Sequence, residues 1–210
     1  MSRVLVTGST GYVGSRLVPV LLEAGHEVLA ATRDEAALDD YPWGAQVEAR
    51  RFDITDEDLV TQAVEGVDAV VYLVHSMASG EFVRKDREAA QRVARAAAAA
   101  GVGRVVYLSG LIPPGELSDH LRSRAEVEQV FLDAEVPATV LRAAMIVGSG
   151  STSFELLRRL SDRLPITPVP SWMRRRLQPV SVEDVVTVLA AAIEGEPRNR
   201  AYDLGADEVL

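Results

Sequence analysis

Three glycines spaced three apart, at positions 8, 11 and 14, constrain this chain more than any other feature. An apolar run, Val4-Leu5-Val6, leads straight into them through Thr7. An apolar helical pattern follows, with Val13, Leu17, Val18, Leu21 and Leu22 at helical spacing, and a second apolar run, Val28 to Ala31, closes the unit at Arg33. A strand, a glycine turn, a helix and a second strand in this order suit a dinucleotide. The first glycine permits the tight turn, the second lets the backbone approach a pyrophosphate, and the third lets the helix pack closely on the strand. Free N–H groups at the helix start hold the phosphate charge. A lone glycine triplet would be an ordinary turn. With the right context on both sides, Thr7, Gly8, Thr10, Gly11, Tyr12, Val13 and Gly14 are read as the cofactor turn.

The rest of the chain alternates in the same way. Strand-like runs fall near Arg3–Thr7, Glu27–Ala31, Val47–Phe52, Ala69–Leu73, Val105–Leu108, Ala138–Leu141 and Ala201–Leu204. Helical patterns fall near Tyr12–Glu23, Asp56–Val64, Glu81–Ala100, Asp119–Leu132, Phe154–Leu160 and Glu183–Ile193. Such alternation predicts βαβ units and a parallel sheet. Hydrophobic residues make up 48% of the chain and aromatics only 5%, so Ala, Val and Leu must build the core. Thr55 with Asp58, and Ser181 with Asp184, read as capping boxes with Asp in the last position, and Ser118 reads as the cap of the helix carrying His120. Pro19 lies inside the first helix and predicts a kink or a local break.

Composition narrows the chemistry. There is no cysteine, which excludes disulfides and thiolate catalysis. The three histidines are scattered, with no HxxxH or HExxH pair, so no metal site is expected. A net charge of −9 argues against nucleic acid as a partner. No apolar run is long enough to span a bilayer, and strand one begins almost at the N-terminus, so a soluble, cytoplasmic protein without a membrane partner is expected.

The G-x-x-G-x-x-G spacing preceded by Thr7 resembles the extended and atypical branches of the short-chain dehydrogenase/reductase family. The resemblance covers essentially all 210 residues. It implies an α/β fold: a single Rossmann-type, doubly wound parallel sheet over residues 1–210, helices on both faces, and small substrate or cap elements within 143–180. It also implies NAD or NADP as cofactor.

At the end of strand two, an acidic residue would hold the adenosine ribose and favour NAD. This chain has Thr32-Arg33 instead, with Asp34 one residue later. Arg33 can pair with a 2′-phosphate, which favours NADP; NAD is the alternative, with Arg33 solvated and Asp34 on the ribose. Asp53-Ile54 resembles the family's adenine-contacting pair, or is a helix-entering turn. Leu73-Val74-His75 would line the cofactor cleft, although a buried, satisfied histidine is the plainer reading of His75.

Catalytic members of the family use a Ser or Thr after strand five, and a Tyr with a Lys four residues later. Ser109 matches the serine position. No Tyr-x-x-x-Lys follows, and the only lysine is Lys85. His120 stands where the tyrosine should be and Arg124 where the lysine should be, four apart and so on one helix face. Histidine can move a proton near neutral pH. The arginine would depress the histidine pKa, since like charges disfavour its charged form. Ser109, His120 and Arg124 are therefore the catalytic candidates; the alternative is a cofactor-holding or structural pair.

Tyr72 to Met77, His120–Arg124 and Arg142 to Gly150 together look like a bacterial atypical subgroup described as NAD(P)-binding or epimerase-like. Gly148-Ser149-Gly150-Ser151 reads as a ligand-contacting loop or a plain connector. Trp172 beside Arg174, Arg175 and Arg176 reads as a grip on an anionic substrate, a solvated patch or an oligomer contact; oligomeric state stays open. Three functions are expected to compete. They are an NADP-dependent oxidoreductase acting on a small molecule, a non-catalytic NAD(P) redox sensor, and a nucleotide-sugar epimerase.

Overall fold

Apolar residues occupy almost every position of the central strands because helices cover both faces of the sheet. The computed structural model describes residues 1–75, 82–151 and 178–206. Its seven-stranded sheet runs in the order β3-β2-β1-β4-β5-β6-β9, with every pairing parallel. The strands are β1 (Arg3–Thr7), β2 (Glu27–Thr32), β3 (Glu48–Arg51), β4 (Ala69–Tyr72), β5 (Arg104–Gly110), β6 (Ala138–Ala143) and β9 (Arg200–Leu204). The helices are α1 (Gly14–Glu23), α2 (Glu57–Ala63), α3 (Phe82–Ala99), α4 (Asp119–Leu132) and α5 (Val182–Glu194). This is the doubly wound α/β fold expected.

Alternate strand residues point to opposite layers. Leu5, Leu29 and Tyr72 join Val60, Val93, Val127 and Phe131 of α2, α3 and α4. Val4, Val6, Val28 and Val106 join Leu17, Leu21, Val185 and Leu189 of α1 and α5. In the alanine run of α3, Ala96 and Ala97 are buried, which lets that helix lie close. Strand β1 has β2 on one side and β4 on the other. The chain therefore reverses direction across the sheet at β1, and a crevice opens at the carboxyl ends of β1 and β4.

Three local expectations change. Helix α1 runs unbroken through Pro19. The missing proline N–H would have bonded the Ser15 carbonyl; the Trp43 indole N–H donates to that oxygen instead, at 3.1 Å. The cap of α2 is Asp56, whose carboxylate accepts from the Asp58 and Leu59 N–H groups, rather than Thr55. Two short 3-10 helices, Glu35–Asp40 and Gly44–Gln46, fill the β2–β3 connection, which the sequence pattern left unassigned. The Ser181 and Ser118 caps form as expected, on the Asp184 and Leu121 N–H groups.

From the expected cap region, β7 (Ile146–Val147) pairs with β8 (Val180–Ser181) as a small parallel sheet. The helix expected near Phe154–Leu160, the Trp172–Arg176 patch, and Ser76 and Met77 lie outside the described residues. No helix among the described residues is long and apolar enough to cross a membrane.

Candidate functional site

The glycine turn is shaped around a single oxygen. Gly8 has φ +71°, a conformation that L side chains rarely adopt. Its carbonyl accepts the Gly11 N–H at 2.9 Å. A Cβ on Gly14 would overlap that same carbonyl and sit 2.9 Å from Ser9 Cα, whereas a Cβ on Gly11 would stand 3.1 Å from it. Side chains hold the turn from behind. Thr7 Oγ1 donates to the Val71 carbonyl and accepts the Leu73 N–H, which ties β1 to β4. Ser9 Oγ donates to the Ala31 carbonyl, and Tyr41 Oη donates to the Thr10 carbonyl at 2.8 Å. The Tyr12, Val13 and Gly14 N–H groups take no backbone acceptor among the described residues. Carbonyls pinned inward and amides left open at a helix start fit a diphosphate.

At the adenosine end, Arg33 is exposed and makes no ion pair among the described residues. The Asp34 carboxylate caps the 3-10 helix on the Ala36 N–H at 3.1 Å. Asp53 accepts the Thr55 N–H and hydroxyl, and those bonds, with the Arg33 charge, hold its carboxyl below the usual range. The Ile54 carbonyl is held by Arg92.

A cleft of about 1080 Å³ joins the glycine turn to the other sequence candidates. Gly8, Gly11, Tyr12, Val13 and Gly14 line one end; Leu73, His75, Ser109, His120 and Arg124 line the rest. Thr7, Thr10, Arg33, Asp53, Ile54 and Val74 do not line it. Val74 packs instead against the core beneath α2, α3 and α4.

Arg124 organises the reaction end. Its Nη1 donates to His75 Nε2 at 2.9 Å and lies 3.4 Å from the Leu108 carbonyl. Its Nε donates to His120 Nε2 at 3.2 Å. Arginine has no acceptor, so each imidazole presents a bare Nε2 to it and carries its proton on Nδ1; the Leu108 carbonyl, 3.4 Å from His75 Nε2, is the more distant neighbour of that atom. Both are therefore neutral. Burial, then the Arg124 charge, holds His75 far below its ordinary value, at about 3. Burial and then Arg124 also lower His120, which sits on the exposed first turn of α4. The absence of a Cβ on Gly110 admits the Arg124 stem, whose Cδ would lie 3.2 Å from such an atom.

Ser109 is 2% exposed, and its hydroxyl, which neighbours that of buried Tyr107, makes no hydrogen bond among the described residues. It is in β5, which extends two residues beyond the run expected from sequence. Sequence reading also missed Gln178 and Met145, which line the cleft. Neither carries a motif. Arg142, at the start of the segment resembling the atypical subgroup, pairs with the buried Glu128 carboxylate at 2.5 to 3.1 Å and braces α4 against β6.

A model of an NAD(P)H-binding family matches residues 8–159. Over 219 aligned residues the chain is 26% identical to the mitochondrial NADH dehydrogenase [ubiquinone] 1 alpha subcomplex subunit 9 of Arabidopsis thaliana, covering 98% of this chain and 54% of that protein. The chain thus spans about half the length of that relative. It is 31% identical to the (4-alkanoyl-5-oxo-2,5-dihydrofuran-3-yl)methyl phosphate reductase of Streptomyces griseus, covering 99% of this chain and 69% of that one. Among solved structures, the Bordetella bronchiseptica enzyme WbmG, in complex with NAD and UDP, superposes with a TM-score of 0.81 at 21% identity, over 100% of this chain and 74% of that one. Fold, glycine turn and matches agree: the chain belongs to the NAD(P)-binding short-chain dehydrogenase/reductase family.

Proposed function

We propose that the chain is an NADP-dependent oxidoreductase acting on a small carbonyl or alcohol substrate through Ser109, His120 and Arg124. The observation that carries this reading is the continuity of the cleft from the glycine turn to those three side chains. The open amides of Tyr12, Val13 and Gly14 would hold the cofactor diphosphate, and Arg33 the 2′-phosphate. Asp34 is a weak rival for the ribose because its carboxylate already caps a helix. Bound NADPH would supply a hydride to a carbonyl carbon. This chain's part is then to polarise the oxygen and move one proton. The buried Ser109 hydroxyl, which makes no hydrogen bond among the described residues, is placed to donate to that oxygen. Neutral His120 suits proton removal from an alcohol, while the reducing direction needs its imidazolium first.

The test has two steps. Thermal shifts with NADP, NADPH, NAD and NADH should show selective stabilisation by the phosphorylated pair. NADPH consumption is then followed against a panel of quinones, aldehydes and oxo acids. His120→Ala should abolish turnover and leave NADPH binding within about twofold of wild type; an unchanged rate overturns the assignment.

A second reading, a non-catalytic NAD(P) redox sensor, is favoured by one observation: both imidazoles are neutral acceptors of Arg124, so the resting site holds no strong acid. It expects tight, redox-selective cofactor binding and no turnover across the panel. A nucleotide-sugar epimerase ranks third, by analogy with structural neighbours that bind such ligands.

A further inference from the structure

Arg124 carries a positive charge into the cleft. No carboxylate pairs with it among the described residues, and its two hydrogen-bonded nitrogens face neutral acceptors: His75, His120 and the Leu108 carbonyl. Its third nitrogen, Nη2, makes no hydrogen bond among the described residues. The nearest negative charge felt at both histidines is Asp86 of α3, and that carboxylate is buried and accepts the Ser123 hydroxyl at 2.7 Å. Beside Arg124 in the same cleft is the buried Ser109 hydroxyl, which makes no hydrogen bond among the described residues. A guanidinium with neutral partners and one open nitrogen, next to a buried hydroxyl, is a site for oxygen atoms bearing negative charge.

Resting on the oxidoreductase reading, we propose that the substrate carries a carboxylate or phosphate beside its carbonyl, and that this anion pairs with the Nε/Nη2 edge of Arg124 and displaces His120. The fork geometry makes the two events one. A bidentate oxyanion on that edge needs the Nε–H that now goes to His120 Nε2. Its arrival frees Nε2 and offsets the Arg124 charge, the second cause after burial that lowers His120, so the imidazole takes up a proton more readily while facing the substrate oxygen. In the reducing direction, bound NADPH would supply a hydride to the carbonyl carbon, with the C=O π pair left on oxygen. The oxygen takes the His120 proton, leaving a neutral imidazole. His75, held on Nη1, stays neutral and keeps the guanidinium aimed. The groups facing His120 are Arg124 on its own helix, His75 after β4 and Asp86 on α3.

The histidines are few enough to follow singly by NMR, at positions 26, 75 and 120. The protein is saturated with NADP and titrated with oxamate, which sets a carboxylate beside a carbonyl, and separately with inorganic phosphate. The expected result is an upward shift of the His120 midpoint with at least one probe, and an unmoved His26. Response to oxamate alone assigns the carboxylate source; response to phosphate alone assigns the phosphoryl source. Arg124→Gln should weaken the responding probe about 10- to 100-fold, the range of a charge-assisted hydrogen bond. Arg124→Lys, which keeps the charge and loses the fork, should give an intermediate loss and guards against misfolding of the Gln variant. If NADP binds and neither probe moves His120, this proposal is overturned and the cofactor reading survives. If NADP itself does not bind, the functional reading on which it rests fails.

Discussion

Trp43 donates its indole N–H to the carbonyl of Ser15, the one oxygen of α1 that Pro19 leaves without a helical donor. The same segment stacks Tyr41 on Trp43 at 4.7 Å, and Tyr41 holds the Thr10 carbonyl. Two aromatic residues thus fasten both ends of the cofactor turn. Trp43→Phe should cost about 1 kcal/mol by leaving a half-buried carbonyl unpaired. In a Pro19→Ala background the helix regains its own N–H, so the same substitution should cost less. Urea unfolding of the double-mutant cycle measures the difference; equal costs in both backgrounds would show that the indole bond carries nothing.

The glycines should differ in tolerance. Gly14→Ala places a Cβ against the Gly8 carbonyl and Ser9 backbone, which must move, so calorimetry should detect no NADP binding and melting should occur earlier. Gly11→Ala meets only the Gly8 oxygen at 3.1 Å, and should retain weakened binding.

Arg33 is the expected source of cofactor preference. Arg33→Ala should raise the NADP dissociation constant about tenfold or more, the loss of one charge-assisted contact. NAD affinity should hardly change. Parallel loss for both cofactors would move Arg33 from the phosphate to a general role.

The depressed His75 pKa is also a statement about stability. The folded site refuses a proton down to about pH 3. The unfolded chain accepts it near pH 6.5. Stability attributable to this histidine is therefore complete above pH 6.5 and falls as pH drops below it, by at most about 1.4 kcal/mol per pH unit. Between pH 6.5 and 5 most carboxylates keep their charge, so urea midpoints should fall less in His75→Gln than in wild type. An identical pH slope would show that His75 is protonated freely in the fold.

Local signals carried much of this architecture. Alternating apolar runs located the seven strands of the sheet, and i, i+4 spacing put His120 and Arg124 on one face. What local pattern could not show was contact at a distance. His75 and Arg124 are separated by the whole of α3 and β5, and only the sheet order brings them together. Trp43 compensates Pro19 from the β2–β3 connection, distant in sequence, so the proline read as a break. Thr55 and Asp56 are adjacent and both able to cap; the backbone chose Asp56 and left Thr55 to the Asp53 turn. The β5 extension through Ser109 is set by pairing with β6, where Ser109 sits opposite Arg142.

The sheet order also determines when the cleft can exist. Its walls come from the turn after β1, the ends of β4, β5 and β6, the start of α4 and Gln178, and every adjacent strand pair is parallel and so joins segments distant in sequence. Parallel pairing of distant segments forms slowly, because loop closure precedes its reward. No early folding intermediate can therefore bind the cofactor, and a ligand specific to this cleft acts only as a lock on the finished protein, slowing its loss without hastening its formation.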